Sequence, residues 1–409
     1  MVKRAPRRVL RGARLWSDGT LSAGHVVTEG GRVVAAGGLA GESEGGVDLA
    51  GRVVLPGLVN AHDHLDFSTF PPLGRPPYPS AYVWAADVGC GRDDLAVAAA
   101  LAVPLPDRLF LGGLRNLLAG ATAVAHHGPY HRALARPDFP VRVLARYQFA
   151  HSPGVTPALR RTYRTTDRRI PWMVHAGEGT DDRCRRELRA LEQANVLRQN
   201  TVIIHAIALG DGDAQRIAAA KACVVWCPEA NRHLYGATAD VAALRAAGVR
   251  IGLGSDSPVS GARDPLSNLA AARATGVVAD DDLVEMATSG SAEVARLIAG
   301  GTEAGRPADL VAIDSMEAWL AGDRRALALV MVGGRPLYGA PPLLDALGVL
   351  WRPVTVDGAA RGLDAELARR ARGLVRGHPA LAAVRWLGGL AFDSEDDPSG
   401  SPLPEGPPP

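Results

Sequence analysis

Apolar and polar positions divide this chain into three regimes. Over residues 8–55 the apolar positions come in short runs, Arg8–Trp16, His25–Glu29, Arg32–Ala36 and Val47–Val54, separated by glycine-rich turns such as Glu29-Gly30-Gly31 and Gly37-Gly38. Runs of that length, bounded by turn residues, predict β-strands. Similar segments return at Ala308–Asp314 and Ala328–Leu337. The two ends of the chain are therefore expected to build one small β-sandwich, with a closed unit between them whose termini lie close together.

In residues 58–300 the pattern changes to apolar runs alternating with amphipathic ones. The runs Leu58–Ala61, Ala121–Ala125, Val141–Phe149, Trp172–Val174, Thr201–Ile204, Cys223–Trp226 and Val249–Leu253 are apolar on both faces. Strands buried under helices read that way, and the alternation predicts a parallel α/β architecture. After His175, Thr180 is the expected N-cap, with Asp181 and Asp182 in the first turn. Cys184, Leu188, Leu191 and Val196 form the apolar stripe of that helix. Asp264-Pro265 opens another helix, and Gly276 is its expected stop.

Residues 129–169 are too few for two full strand–helix units of about 30 residues each. Either two strands are compressed into Val141–Ser152 with a helix missing, or the array is incomplete there. Residues 66–92, rich in Pro, Tyr and Gly, form a long connection directly after His64 and are expected to act as a lid. Beyond Pro341 the pattern turns helical at Leu363–Val375 and Ala380–Leu387. It then becomes acidic and proline-rich, with 393–409 expected to be disordered. The resulting division is 1–57, 58–300, 301–340 and 341–409.

Composition narrows the partners. A chain of 409 residues with 47% hydrophobic and 22% charged residues is that of a globular protein with one large unit and a smaller one. The net charge is +2 with both signs interspersed, which recommends neither nucleic acid nor a membrane surface as a partner. A small-molecule substrate is expected instead, and a homodimer is allowed. No apolar stretch is long enough to span a bilayer, and the basic start is not followed by a signal-like apolar region. Cys90, Cys184, Cys223 and Cys227 are scattered and lack zinc-knuckle spacing. Free thiols in a cytoplasmic setting are the expectation.

The candidate chemistry sits where the apolar runs end. His62 and His64 close the first, and His126 and His127 the second. His175 follows Met173-Val174, with Glu178 three residues on; His205 follows Ile203-Ile204, and Asp256 follows Gly252-Leu253-Gly254. Residues i and i+2 of a strand share a face, so both imidazoles of His62-Asp63-His64 are expected to converge. Carboxyl ends of strands build the active site of a (β/α)8 barrel. Buried ionisable groups are costly unless paired or metal-bound. Five strand ends of this kind, in sequence order, therefore point to a metal site.

Taken in order, the segments Leu55-Pro56-Gly57-Leu58-Val59-Asn60-Ala61-His62-Asp63-His64, Val174-His175-Ala176-Gly177-Glu178, Ile204-His205-Ala206, Cys227-Pro228-Glu229-Ala230-Asn231, Gly252-Leu253-Gly254-Ser255-Asp256 and Gly305-Arg306-Pro307-Ala308-Asp309-Leu310 resemble the amidohydrolase superfamily. Within it they are similar to the heteroaromatic deaminases and chlorohydrolases. The likeness spans about residues 8–340. It implies a distorted (β/α)8 TIM barrel with a small β-sandwich built from both ends. It also implies one divalent metal held by His62, His64, His175 and Asp256. Binuclear members commonly use a carboxylated lysine, and the only lysines, Lys3 and Lys221, stand outside any such position. Three imidazoles and a carboxylate suit Zn²⁺, with Fe²⁺ or Mn²⁺ as alternatives.

The resemblance further implies hydrolytic deamination of a nitrogen heterocycle. Glu178, His205 and Asp256 would be the catalytic residues, and His127, His151, Trp172 and Asn231 would contact substrate. A cyclic amide hydrolase using the same ligands, and an inactive protein of the same fold, are the competing readings. The stretch before Ile170 is short for this branch, and Ser255-Asp256-Ser257-Pro258 is unusual in it.

Overall fold

The computed structural model describes residues 5–17, 19–38, 46–90, 95–298, 300–384, 386–387 and 389–392. The expected disorder of 393–409 and the position of Lys3 lie outside the described residues, as does the side chain of Cys90.

The two chain ends meet in one sheet of eleven strands. Arg8–Ser17, Thr20–Glu29, Arg32–Gly37, Val47–Asp48 and Val53–Pro56 come from the amino-terminal side. Leu310–Ile313, Leu327–Val332, Arg335–Gly339, Trp351–Val356, Ala359–Asp364 and Leu390–Phe392 come from the other. The seam is the antiparallel pairing of Val53–Pro56 with Leu310–Ile313, Val54 opposite Ala312. Pairing at that seam joins the segments on either side of the middle unit in a single sheet.

The middle unit contains two parallel sheets. One is Gln148–Ala150, Trp172–Ala176, Thr201–His205, Cys223–Trp226 and Arg250–Leu253 in sequence order; the other is Leu58–Asp63, Ala121–His126 and Arg142–Val143. A parallel bridge between Asp63 and Asp256 joins them. Alternate residues go to different cores, as the pleat requires. Trp172, Val174, Ile203 and Val224 pack in the large core with the helices, whereas Met173, Val202, Ile204 and Val225 pack together on the other side.

Of the two alternatives for residues 129–169, the chain takes the first. Arg142–Val143 and Gln148–Ala150 are separate strands joined by residues 144–147 with no helix between them. One cap is displaced from expectation: Asp181, not Thr180, caps the helix Asp182–Arg185, because its side chain accepts from Cys184 N–H. Asp264 caps Pro265–Arg273 in a reciprocal arrangement with Ser267.

The region after Pro341 differs from its helical pattern. The helix Ala365–Gly377 and the 3₁₀ turn Pro379–Ala383 are present, but Trp351–Val356, Ala359–Asp364 and Leu390–Phe392 are strands that extend the sheet. Their apolar residues are interrupted by Arg and Gly, which hides the period of two from the sequence. This segment also reaches the loop after His64. The buried Trp386 indole donates to the Ser68 carbonyl at 2.7 Å, and the Arg370 guanidinium lies 4.0 Å from the Phe110 ring centre.

Among the described residues no single helix is long and apolar enough to cross a membrane. Leu95–Ala102 and Leu105–Leu118 meet at 97°.

A buried carbonyl left without its donor costs about 1–3 kcal/mol. Trp386→Phe is therefore expected to lower stability by about that amount, with the fold retained. Urea denaturation followed by circular dichroism measures it.

Candidate active site

The ends of six strands converge on one cluster of side chains. His62 and His64 reach it because they stand two apart. Their ring centres are 5.0 Å from each other, and His62 is 5.1 Å from His175. His62 Nε2 and His175 Nε2 face each other at 3.3 Å. Asp256 Oδ1 lies 3.7 Å from both His62 Nε2 and His64 Nε2. The ligand atoms of His62, His64 and His175 all fall within 4.8 Å of one another.

Two of these side chains are aimed by unusual backbone. The pleat alone would send His205 to the helix side with Ile203. Its φ of 75° breaks the alternation, and the ring ends 5.2 Å from that of His175. Asp256 has φ of 58°. Left-handed backbone at non-glycine residues is uncommon and collects at functional sites.

Electrostatics prepares the set for a cation. Burial holds His62, His64 and His175 below the usual imidazole range, His64 and His175 well below it, so the rings are neutral and offer lone pairs. Burial alone would raise Asp256. The imidazoles of His62, His205 and His64 packed beside it outweigh that and hold the carboxylate ionised. Neutral nitrogens and an anionic oxygen are the form in which these groups bind a divalent metal.

Glu178 is the opposite case. Burial, reinforced by Asp256, raises it, against the opposing influence of His205 and of the hydrogen bond from Tyr235. The Tyr235 hydroxyl donates to Glu178 Oε1 at 2.7 Å, and His205 Nε2 is 3.5 Å from the same oxygen. Nothing in the local sequence marks Tyr235; only the fold of the helix Pro228–Tyr235 brings it here.

The remaining expected residues divide. His127 joins the cluster, its ring 4.3 Å from His175 and stacked on it, with Nε2 3.2 Å from the Ala150 carbonyl. His151 is exposed at the rim, 6.1 Å from both His127 and His175. Asn231 reaches the site only through His205, whose Nδ1 lies 2.8 Å from the amide oxygen. Trp172 is not brought there. It starts its strand on the helix side, fully buried, with its indole donating to Thr162 Oγ1 at 3.2 Å. The expectation of substrate contact fails for Trp172 because it stands three residues before His175, on the other face of the pleat. Lys221 is exposed where the chain enters Cys223–Trp226, at the end of that strand away from the cluster. Cys184, Cys223 and Cys227 are free and buried.

The connection after His64 lies over the strand ends. Tyr78 N–H donates to the Leu234 carbonyl at 2.7 Å, Ala81 N–H to Glu178 at 3.0 Å, and Thr180 N–H to Pro79 at 2.8 Å. Tyr82 bonds Glu187, whose carboxyl is pushed up to about 7 by burial, and Arg183 stacks on the Tyr82 ring. Sequence alone gave no sign of this contact.

Beneath the cluster Asp63 is fully buried beside Arg115. Burial pushes Asp63 up to about 6 in spite of Arg115 and Asn116.

Residues 152–337 match the profile of the Amidohydrolase family. A 5-methylthioadenosine/S-adenosylhomocysteine deaminase of Halobacterium salinarum is 27% identical over 362 residues, 75% of this chain and 84% of the relative. A hydroxydechloroatrazine ethylaminohydrolase of Pseudomonas sp. is 31% identical over 240 residues, 52% of this chain and 48% of the relative. Among solved structures, an adenosine deaminase from Xanthomonas campestris with bound zinc superposes with a TM-score of 0.66 at 18% identity, covering 82% of this chain and 93% of that one. An atrazine chlorohydrolase from Arthrobacter aurescens complexed with zinc gives 0.63 at 18% identity, covering 80% and 94%. The fold is therefore that of these hydrolases.

Close packing around the cluster leaves little room. A Cβ on Gly254 would sit 2.6 Å from His62 Cβ and from Val225 Cγ1. Gly254→Ala is expected to displace His62 and reduce bound metal per chain to below half of the parent value, as elemental analysis of the purified protein would measure.

Proposed function

We propose that this chain, which carries an amidohydrolase family domain, is a metal-dependent hydrolase that deaminates a nitrogen heterocycle. The observation that carries the proposal is the convergence of three imidazoles and one carboxylate beside a buried Glu178 whose carboxyl is raised by burial. We read the eight parallel strands as a distorted (β/α)8 barrel over residues 58–300. The sheet from 1–57 and 301–340 is appended to it and extended by the residues after 341.

His62, His64, His175 and Asp256 would hold one divalent ion, which we take to be Zn²⁺ from the ligand chemistry. Such an ion supplies Lewis acidity that brings the pKa of water down toward neutrality. The chain's own groups do the rest. Asp256, ionised, accepts a proton from the attacking water at its carboxylate and holds it for the departing amine. His205, with Nδ1 engaged by Asn231, presents Nε2 to that water and orients it. Glu178 delivers a proton to the ring nitrogen next to the carbon under attack, and a carboxyl raised by burial keeps that proton closer to neutral pH. Proton delivery at this position favours deamination over cyclic amide hydrolysis. His127 and His151 flank His175 and would contact the substrate ring, and residues 66–90 would close over it.

Ammonia release from a panel of purines, pyrimidines, pterins and triazines tests the proposal on protein of measured metal content. Release from none of them would overturn it. His62→Ala and Asp256→Asn are expected to lose metal and activity together; full metal retention in both would refute the ligand set. Glu178→Gln is expected to keep the metal and lose about 10²–10⁴-fold in rate. A required proton donor makes activity fall as pH rises through the pKa of Glu178. Tyr235→Phe removes a hydrogen bond to its ionised form, so that alkaline limb should move to higher pH in the rate profile.

A further inference from the structure

The strand that presents His62 and His64 is irregular. Its ladder with Ala121–His126 slips twice, between Leu58 and Val59 and again between Asn60 and Asp63. Slips of this kind leave residues unpaired and interrupt the alternation of faces. Main-chain pairing to that neighbour therefore does not fix His62. The break is visible in the side chains: Asn60 and Asp63, three apart, both turn toward Asn116 on the helix Leu105–Leu118, while His62 and His64 turn to the site.

A buried polar network occupies the place of the missing ladder. Asp63 accepts from Arg115 Nη2 at 2.5 Å, Asn116 Nδ2 at 2.7 Å and Asn60 Nδ2 at 2.9 Å. Asn60 Oδ1 accepts from the Ser255 N–H at 2.9 Å, and its Nδ2 lies 2.8 Å from Ser255 Oγ. The network thus links the helix, the first strand and the residue before Asp256. Asp63 and Arg115 are both fully buried. Such a pair adds little to stability over apolar residues of similar volume, and its best-attested use is to specify register.

We propose that Asp63, Arg115, Asn60 and Asn116 form a register pin that sets the spacing of His62 and His64 opposite Asp256, and that these are positioning residues for metal affinity. The proposal rests on the metal-ligand reading above. Asp63 acts through its own backbone: Asp63 and Asp256 form the bridge between the sheets, and its carbonyl accepts from His127 N–H at 2.8 Å. A slip there would move ligands on three strands together.

The test measures Zn²⁺ affinity by competition with a chromophoric chelator, alongside melting of the metal-free protein. The variants are Asp63→Asn, Asn116→Ala and the double variant Asp63→Leu/Arg115→Met. Zinc affinity is expected to fall about 10–100-fold in each, the range seen when groups orienting metal ligands are removed. The metal-free double variant should melt at or above the parent temperature. Parent-like affinity in Asp63→Asn and Asn116→Ala overturns the proposal. Loss of the fold in both metal-free single variants overturns it too, because a positioning role requires a fold that outlasts the pin. Undiminished zinc binding in His62→Ala would sink the ligand reading and this proposal with it. Loss in His62→Ala with none in Asp63→Asn sinks the pin alone.

Discussion

Two main-chain hydrogen bonds hold the site together. Asp256 N–H donates to the His62 carbonyl and His64 N–H donates to the Asp256 carbonyl, each at 3.0 Å. They join the first and last strands of the middle unit, whose ladders with their other neighbours run in separate sheets. Without them, the imidazoles of residues 62 and 64 and the carboxylate of residue 256 would belong to two independent surfaces. The polar network under Asp63 and the left-handed backbone at Asp256 both serve this one junction.

The junction also explains the charge state of the cluster. Rings crowded into a buried space remain neutral because protonating one would place a cation among its neighbours in a medium of low polarity. A single carboxylate beside them stays ionised, because the imidazoles packed against it outweigh the cost of its burial. Glu178, raised by burial and by Asp256 against the hydrogen bond from Tyr235, keeps its proton more readily. Two carboxyl groups in one pocket thus take opposite roles, set by what surrounds each.

Much of this was legible in the sequence, for a physical reason. Strands buried on both faces must be apolar throughout, so a polar residue at the end of such a run stands out, and His62, His64, His175, His205 and Asp256 all stand at or just beyond such ends. The pleat carries the further information that His62 and His64 converge. The same period of two places Trp172 on the face opposite His175. The helix Pro228–Tyr235 hides Tyr235 because an aromatic at the end of an apolar stripe reads as core. Arg115 and Asn116 were invisible for a related reason: their partner Asp63 is intelligible only once the strand is seen to slip. The strands after residue 350 escaped because Arg352, Arg361 and Gly362 interrupt their apolar pattern.

The sheet woven from both ends has a consequence for synthesis on the ribosome. Val53–Pro56 emerges early, yet its antiparallel partner Leu310–Ile313 is made only after the whole middle unit. Throughout that interval the nascent chain carries an apolar strand with one open flank, a surface that invites pairing with other chains. Translation speed and chaperone capture, more than the finished protein's stability, would then govern the yield of correctly assembled molecules.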